Sequence, residues 1–207
     1  MHKLWFFVLI FLFVALLTSC ILKNTALANI ARYFCVVGAA GMGIAMWSAG
    51  RQKQQGWLAA GLLLSLITDA VLLFAATSRW VPLAVGIFST VHWCYLHRFV
   101  PRVSGWLTMI TIMAWITGLI GVFAINTMWL ILTAAGYAIL LCADYWLTHR
   151  HELPNPRATW LARTGITAFV CCDLLVALAA ITGINAGLSW YCYWPALVLL
   201  TTSGWAD

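Results

Sequence analysis

Charge is what this chain has least of. Asp, Glu, Lys and Arg make up 8% of its 207 residues, against roughly 25% in a soluble domain. That scarcity leaves no stretch able to fold as a separate water-facing domain. Metal-type cysteine spacing is missing too. Cys20, Cys35, Cys94, Cys142, Cys171, Cys172 and Cys192 lie in or beside apolar runs without any CxxC pair. They read as small apolar filler at helix contacts, and the adjacent Cys171 and Cys172 point in different directions on a helix. A phosphate loop is excluded at the glycine-rich AAGMG of 39–43, which no strand precedes and no lysine follows. No basic stripe with interleaved aromatics occurs on any polar segment. The net charge of +6 therefore points to membrane topology and headgroup contacts, and nucleic acid is set aside.

What remains is apolar. Hydrophobic residues are 64% of the chain, and thirteen are tryptophans, the side chain that membrane–water interfaces favour. A spanning helix needs about 20 mostly apolar residues. By that measure runs fall at about 4–22, 28–49, 57–76, 81–99, 104–124, 127–147, 160–182 and 188–204. The fold class expected is all-α: a polytopic membrane protein of eight transmembrane helices, with residues 1–207 forming one integral membrane domain. Lys3, Arg51, Lys53, Arg98, Arg102, Arg150, Arg157 and Arg163 fall on one side of such a bundle, and Lys23, Arg32 and Arg79 on the other. Eight against three places both termini in the cytoplasm. The N-terminal run, ending Leu17-Thr18-Ser19-Cys20, looks like a lipoprotein leader. Seven further spans make a retained first helix the expectation. Between the sixth and seventh spans, Pro154 and Pro156 forbid continuous helix.

Three acidic residues sit inside these apolar runs: Asp69 in GLLLSLITDAVLLF, Asp144 in GYAILLCADYWL and Asp173 in GITAFVCCDLLVALAA. An ionised carboxylate at mid-membrane is expensive unless it has a partner or faces a polar cavity. His92 is the one histidine at similar depth. Two carboxylates and a histidine suit general acid/base work, one protonated carboxyl giving a proton while the other activates water. Asp69 and Asp173 are the expected pair, with His92 as proton carrier or orienting partner. Tyr95 follows His92 by three residues and shares its face, so its hydroxyl is a candidate for holding a substrate oxygen. Ser65, one turn before Asp69, is a second candidate contact, although no histidine and acid surround it as a nucleophile would need. Asp144 is a third, near the cytoplasmic end of its span, where a salt bridge or a headgroup contact also accounts for it.

Other classes meet obstacles. His97, His149 and His151 fall near the cytoplasmic surface, away from the midplane acids, so no metal and no cofactor is expected. A proton-coupled transporter or lipid-binding protein would also use midplane aspartates. No proline or glycine breaks the helix beside Asp69 or Asp173, as carriers of that kind tend to require.

The conjunction of Thr68-Asp69-Ala70-Val71-Leu72-Leu73 with His92-Trp93-Cys94-Tyr95, and of Cys172-Asp173-Leu174-Leu175 farther on, resembles the YhhN family of membrane lysoplasmalogenases. The chain departs from that pattern at Thr68, where the family has glycine. A family Lys-Pro pair near the second helix is missing, with Phe34-Cys35-Val36 nearby instead, and the last span has Trp194-Pro195 where the family often has aromatic residues followed by glutamine or histidine. The resemblance implies eight helices and a hydrolase that cleaves the vinyl-ether bond of lysoplasmalogen, and a bacterial inner membrane is the expected location. The products it implies are a fatty aldehyde and glycerophosphoethanolamine or glycerophosphocholine. The partners expected are that lysophospholipid-type substrate and membrane lipids.

Overall fold

The computed structural model describes residues 25–50, 52–74, 78–100, 102–124, 126–183 and 186–206. The apolar run at 4–22, with its leader-like Cys20, lies outside them. Among the described residues there are seven α-helices and no strand. They are α1 (Thr25–Gly50), α2 (Lys53–Phe74), α3 (Val81–Phe99), α4 (Gly105–Ala124), α5 (Thr127–Arg150), α6 (Pro156–Thr182) and α7 (Trp190–Ala206). Short 3-10 turns at Ser78–Trp80 and Ala186–Ser189 lead into α3 and α7. Five of the seven, α1, α2, α4, α5 and α6, are long and apolar enough to cross a membrane. The other two, α3 and α7, are the shortest, with 19 and 17 residues.

Local sequence sets the helix ends. Asn126 caps α5 by accepting from the Met128 backbone N–H at 2.9 Å. Asn155 caps α6 by accepting from Arg157 N at 2.9 Å, with Pro156 as the first residue of the helix, where its missing N–H costs nothing. The break expected from Pro154 and Pro156 thus falls at 151–155, and α5 continues to Arg150.

The helices close into a ring in the order α1, α2, α3, α5, α6, α7, and α7 returns to pack on α1. The helix α4 lies outside, against α3 and α5, while α2 touches α7 across the interior. Outer faces are apolar: Phe123 and Ile181 are each 83% exposed, with Ile131, Leu174 and Met109 also outward. Such a surface has no advantage in water and suits lipid. Tryptophans cluster by helix ends, Trp47, Trp106, Trp146, Trp160 and Trp205 at one end and Trp80, Trp129 and Trp190 at the other, as interfacial belts do. Lys53, Arg98, Arg102, Arg150, Arg157 and Arg163 share the first of these ends, the basic end of the bundle.

Close approach needs small residues where backbones meet. Gly118 of α4 faces the first turn of α3, and a Cβ built there would lie 2.7 Å from the Pro82 carbonyl oxygen. Gly61 of α2 makes room for the Tyr95 ring, which any side chain at that position would strike.

Candidate active site

Five helices of the ring send polar or aromatic side chains inward. Asp69 comes from α2, Phe88, His92 and Tyr95 from α3, Tyr137 and Asp144 from α5, Phe169 and Asp173 from α6, and Tyr193 from α7. Asp69 stands 16 residues after Lys53, and Asp173 stands 17 residues after Pro156. Since α2 and α6 run in the same direction from the basic end, the two acids sit at similar distances along their helices.

Each of these acids is held by a tyrosine. The Tyr193 hydroxyl donates to Asp69 Oδ2 at 2.5 Å, and the Tyr137 hydroxyl donates to Asp173 Oδ2 at 2.5 Å. Between the pairs lies a hub of rings. Phe88 stands 6.1 Å from Tyr137 and 6.4 Å from Tyr193, centroid to centroid. Phe169 stands edge-on to Tyr193 at 5.3 Å and to His92 at 5.0 Å. The two carboxylate–tyrosine pairs therefore flank one aromatic wall, and Asp69 and Asp173 are near enough for their charges to interact.

The halves differ in access. Asp69 is 4% exposed and Tyr193 is buried, so that half is sealed. Asp173 and Tyr137 are partly exposed, at the seam between α5 and α6, where the neighbouring Leu174 and Val176 face outward. This half of the site is the less deeply buried of the two.

His92 is fully buried and its ring is used on both edges. Nδ1 lies 2.8 Å from Asp144 Oδ2 and Nε2 lies 3.2 Å from the Tyr137 hydroxyl. Asp144 is also fully buried, and its second oxygen accepts from Thr148 Oγ1 at 3.2 Å. Both of its oxygens are thus engaged inside the bundle, away from any headgroup. The acid directly paired with His92 is Asp144, while Asp173 is reached through Tyr137 and Asp69 lies across the rings.

Ser65 and Tyr95 are buried, and their hydroxyls lie close enough to interact. No other group among the described residues is hydrogen-bonded to either hydroxyl.

Tyr137 and Tyr193 are the participants that sequence reasoning missed. One signal existed for the first: Tyr137 precedes Asp144 by seven residues, two turns along one face of α5. Tyr193 carries no such mark. Among the described residues no three His, Cys, Asp or Glu side chains gather so as to hold a metal ion. An apolar groove of about 520 Å³ lies between α4 and α5, lined by residues such as Trp106, Ile139, Cys142 and Trp146, and none of the acids reaches it.

Taken together, these helices define a membrane-type bundle with carboxylates, tyrosines and a histidine enclosed in its interior. The YhhN family model matches residues 27–204, a span that includes every one of these side chains, and the chain belongs to the YhhN family. Membership of this family is consistent with a membrane hydrolase. No curated protein and no solved structure matches the chain.

Proposed function

We propose that this protein is a lysoplasmalogenase, hydrolysing the vinyl-ether bond of lysoplasmalogen to a fatty aldehyde and glycerophosphoethanolamine or glycerophosphocholine. The observation that carries the reading is the pair Asp69 and Asp173, each hydrogen-bonded to a tyrosine on either side of one aromatic wall. Family membership supports it. The partial exposure of Asp173 beside the outward-facing Leu174 and Val176 suits a substrate with a single long chain, and the apolar rings suit that chain's first carbons.

The chemistry uses both acids. One carboxyl gives its proton to the β-carbon of the vinyl ether, whose π electrons form the new C–H bond and leave an oxocarbenium ion. The other carboxylate takes a proton from water as the water oxygen bonds to the cationic carbon. The hemiacetal then loses its hydroxyl proton, its bond to the glyceryl oxygen breaks, and that oxygen picks up a proton. The balance is one water added and no change of oxidation state overall. The roles of proton donor and base belong to the pair, since coupled carboxyls titrate together. Ser65 and Tyr95 are placed in this scheme as contacts for a substrate oxygen.

The same reading takes the protein as one membrane domain of eight spans with both termini cytoplasmic, in a bacterial inner membrane, with the run at 4–22 as the first span. A proton-coupled carrier is the competing function, favoured by the buried chain of polar groups that joins Asp173 to Asp144. Purified protein offered lysoplasmalogen, diacyl phospholipid and lysophosphatidylethanolamine in parallel separates them. Aldehyde release from the vinyl ether alone is expected, and no aldehyde from any lipid would overturn the hydrolase.

A further inference from the structure

Asp144 has no task in the hydrolysis just described, yet it is fully buried together with His92 and Thr148. A lone aspartate within an apolar helix is costly unless it is paired. Its contacts continue in both directions. Toward the interior run Asp144 to His92 Nδ1 (2.8 Å), His92 Nε2 to the Tyr137 hydroxyl (3.2 Å), and Tyr137 to Asp173 (2.5 Å). Toward the basic end, Thr148 Oγ1 donates to Asp144 Oδ1, and Arg163 Nε donates to the Thr148 carbonyl at 3.2 Å. The Arg163 side chain is 31% exposed and lies near Glu152, which is 80% exposed.

The hydrogen bonds of this chain can be satisfied in two ways with the same heavy-atom positions. In the first, Tyr137 donates to the Asp173 carboxylate, His92 Nε2–H donates to Tyr137, and a protonated Asp144 donates to His92 Nδ1. In the second, a protonated Asp173 donates to Tyr137, Tyr137 donates to His92 Nε2, and His92 Nδ1–H donates to the Asp144 carboxylate. Each state holds three protons on these four groups, and the two differ by one negative charge moved from Asp173 to Asp144. A neutral imidazole has one donor and one acceptor nitrogen, which is what lets every bond reverse together.

We propose that Asp144, His92 and Tyr137 form a proton relay that charges and discharges Asp173 by exchange with Asp144 as its buried proton store. This rests on Asp173 being one of the two acid/base groups assigned above. The hydrolytic cycle consumes no proton overall, but it empties the donor carboxyl and fills the base, so one proton has to be supplied and one removed before the next turnover. The relay provides that path for Asp173. It moves protons only; no electron is transferred and no bond between heavy atoms changes. Among the described residues, Asp69 from α2, Tyr95 from α3, Cys172 from α6 and, at the basic end, Arg163 also face the chain. Asp144 and His92 are positioning residues in this scheme, since they reach the substrate only through Tyr137 and Asp173.

The test follows protonation itself. The infrared carboxyl band of Asp173 is identified by its loss in Asp173→Asn, and its rise after an acid jump is timed in the full-length protein in detergent. Asp144→Asn keeps the shape of the side chain but cannot hand on a proton, and the rise should slow by about tenfold or more. Tyr137→Phe, which keeps the ring and removes the hydroxyl link, should slow it as much, and the double variant no further, because the steps are in series. On lysoplasmalogen, Asp144→Asn should lower kcat by a similar factor with KM unchanged. A wild-type rate of rise in both single variants would overturn the relay. A slowed rise in protein that releases no aldehyde would keep the relay and overturn the hydrolase instead.

Discussion

At the scale of single residues, Asp69 and Asp173 are distinguished by what replaces water around them. Each has a tyrosine hydroxyl as donor and aromatic carbon as neighbour. Asparagine has nearly the same shape as aspartate and still accepts from that hydroxyl, but it neither gives a catalytic proton nor takes one from water. Asp69→Asn and Asp173→Asn are each expected to stay folded and membrane-inserted while losing ~10²–10⁴ of vinyl-ether hydrolysis. Aldehyde release, measured beside a detergent gel-filtration profile, checks both halves of that statement. Full activity in both variants would make the carboxylates structural. His92→Gln is expected to lower activity by less, because His92 acts through Tyr137 and not on the substrate.

At the scale of the helix, the close approach of α4 to the first turn of α3 is governed by a missing side chain. Gly118→Ala brings a methyl to 2.7 Å from the Pro82 carbonyl and 3.3 Å from its carbon, both backbone atoms that cannot swing aside. Overpacking of this kind costs roughly 1–3 kcal/mol, and a lowered midpoint in a thermal melt in detergent is expected. Gly41→Ala is the control, since nothing lies within 4 Å of a Cβ there. The helices were legible in the sequence for a simple reason: an apolar run of about 20 residues has few other stable forms in a bilayer. The start of α3 at Val81 and the ends of α4 and α6 coincide with the limits of their apolar runs. Asp69, Asp173 and His92 were legible because charge is conspicuous in such a run. The pairing of His92 with Asp144 was not, because it depends on how α3 and α5 are rotated about their axes, which no apolar run encodes. The extension of α5 past 147 to Arg150 also places Asp144 farther from the helix end than the apolar run suggested. Tyr193 was hidden by being ordinary, as tyrosine near a helix end in a membrane protein is commonplace.

At the scale of the whole molecule, the basic end gathers the loops that join α1 to α2, α3 to α4 and α5 to α6, together with the end of α7. On the proposed reading, in which the apolar run at 4–22 adds a span ahead of α1, reporter fusions at the two ends of the chain are expected to report the cytoplasm for both. A C-terminal fusion active on the opposite side would overturn the eight-span arrangement. The closing of the ring, in which α7 packs on α1 and α6 and delivers Tyr193 to Asp69, also bears on how the protein is made. Those two side chains are 124 residues apart in the chain. At about 5–20 residues per second of synthesis, Asp69 precedes its tyrosine by roughly 6–25 s. For that interval α2 carries a carboxyl whose donor has yet to be translated, so other groups must solvate it until α7 arrives. The order of synthesis is thereby written into the site: Asp69 waits for Tyr193, and this half of the interior closes only once α7 has been made.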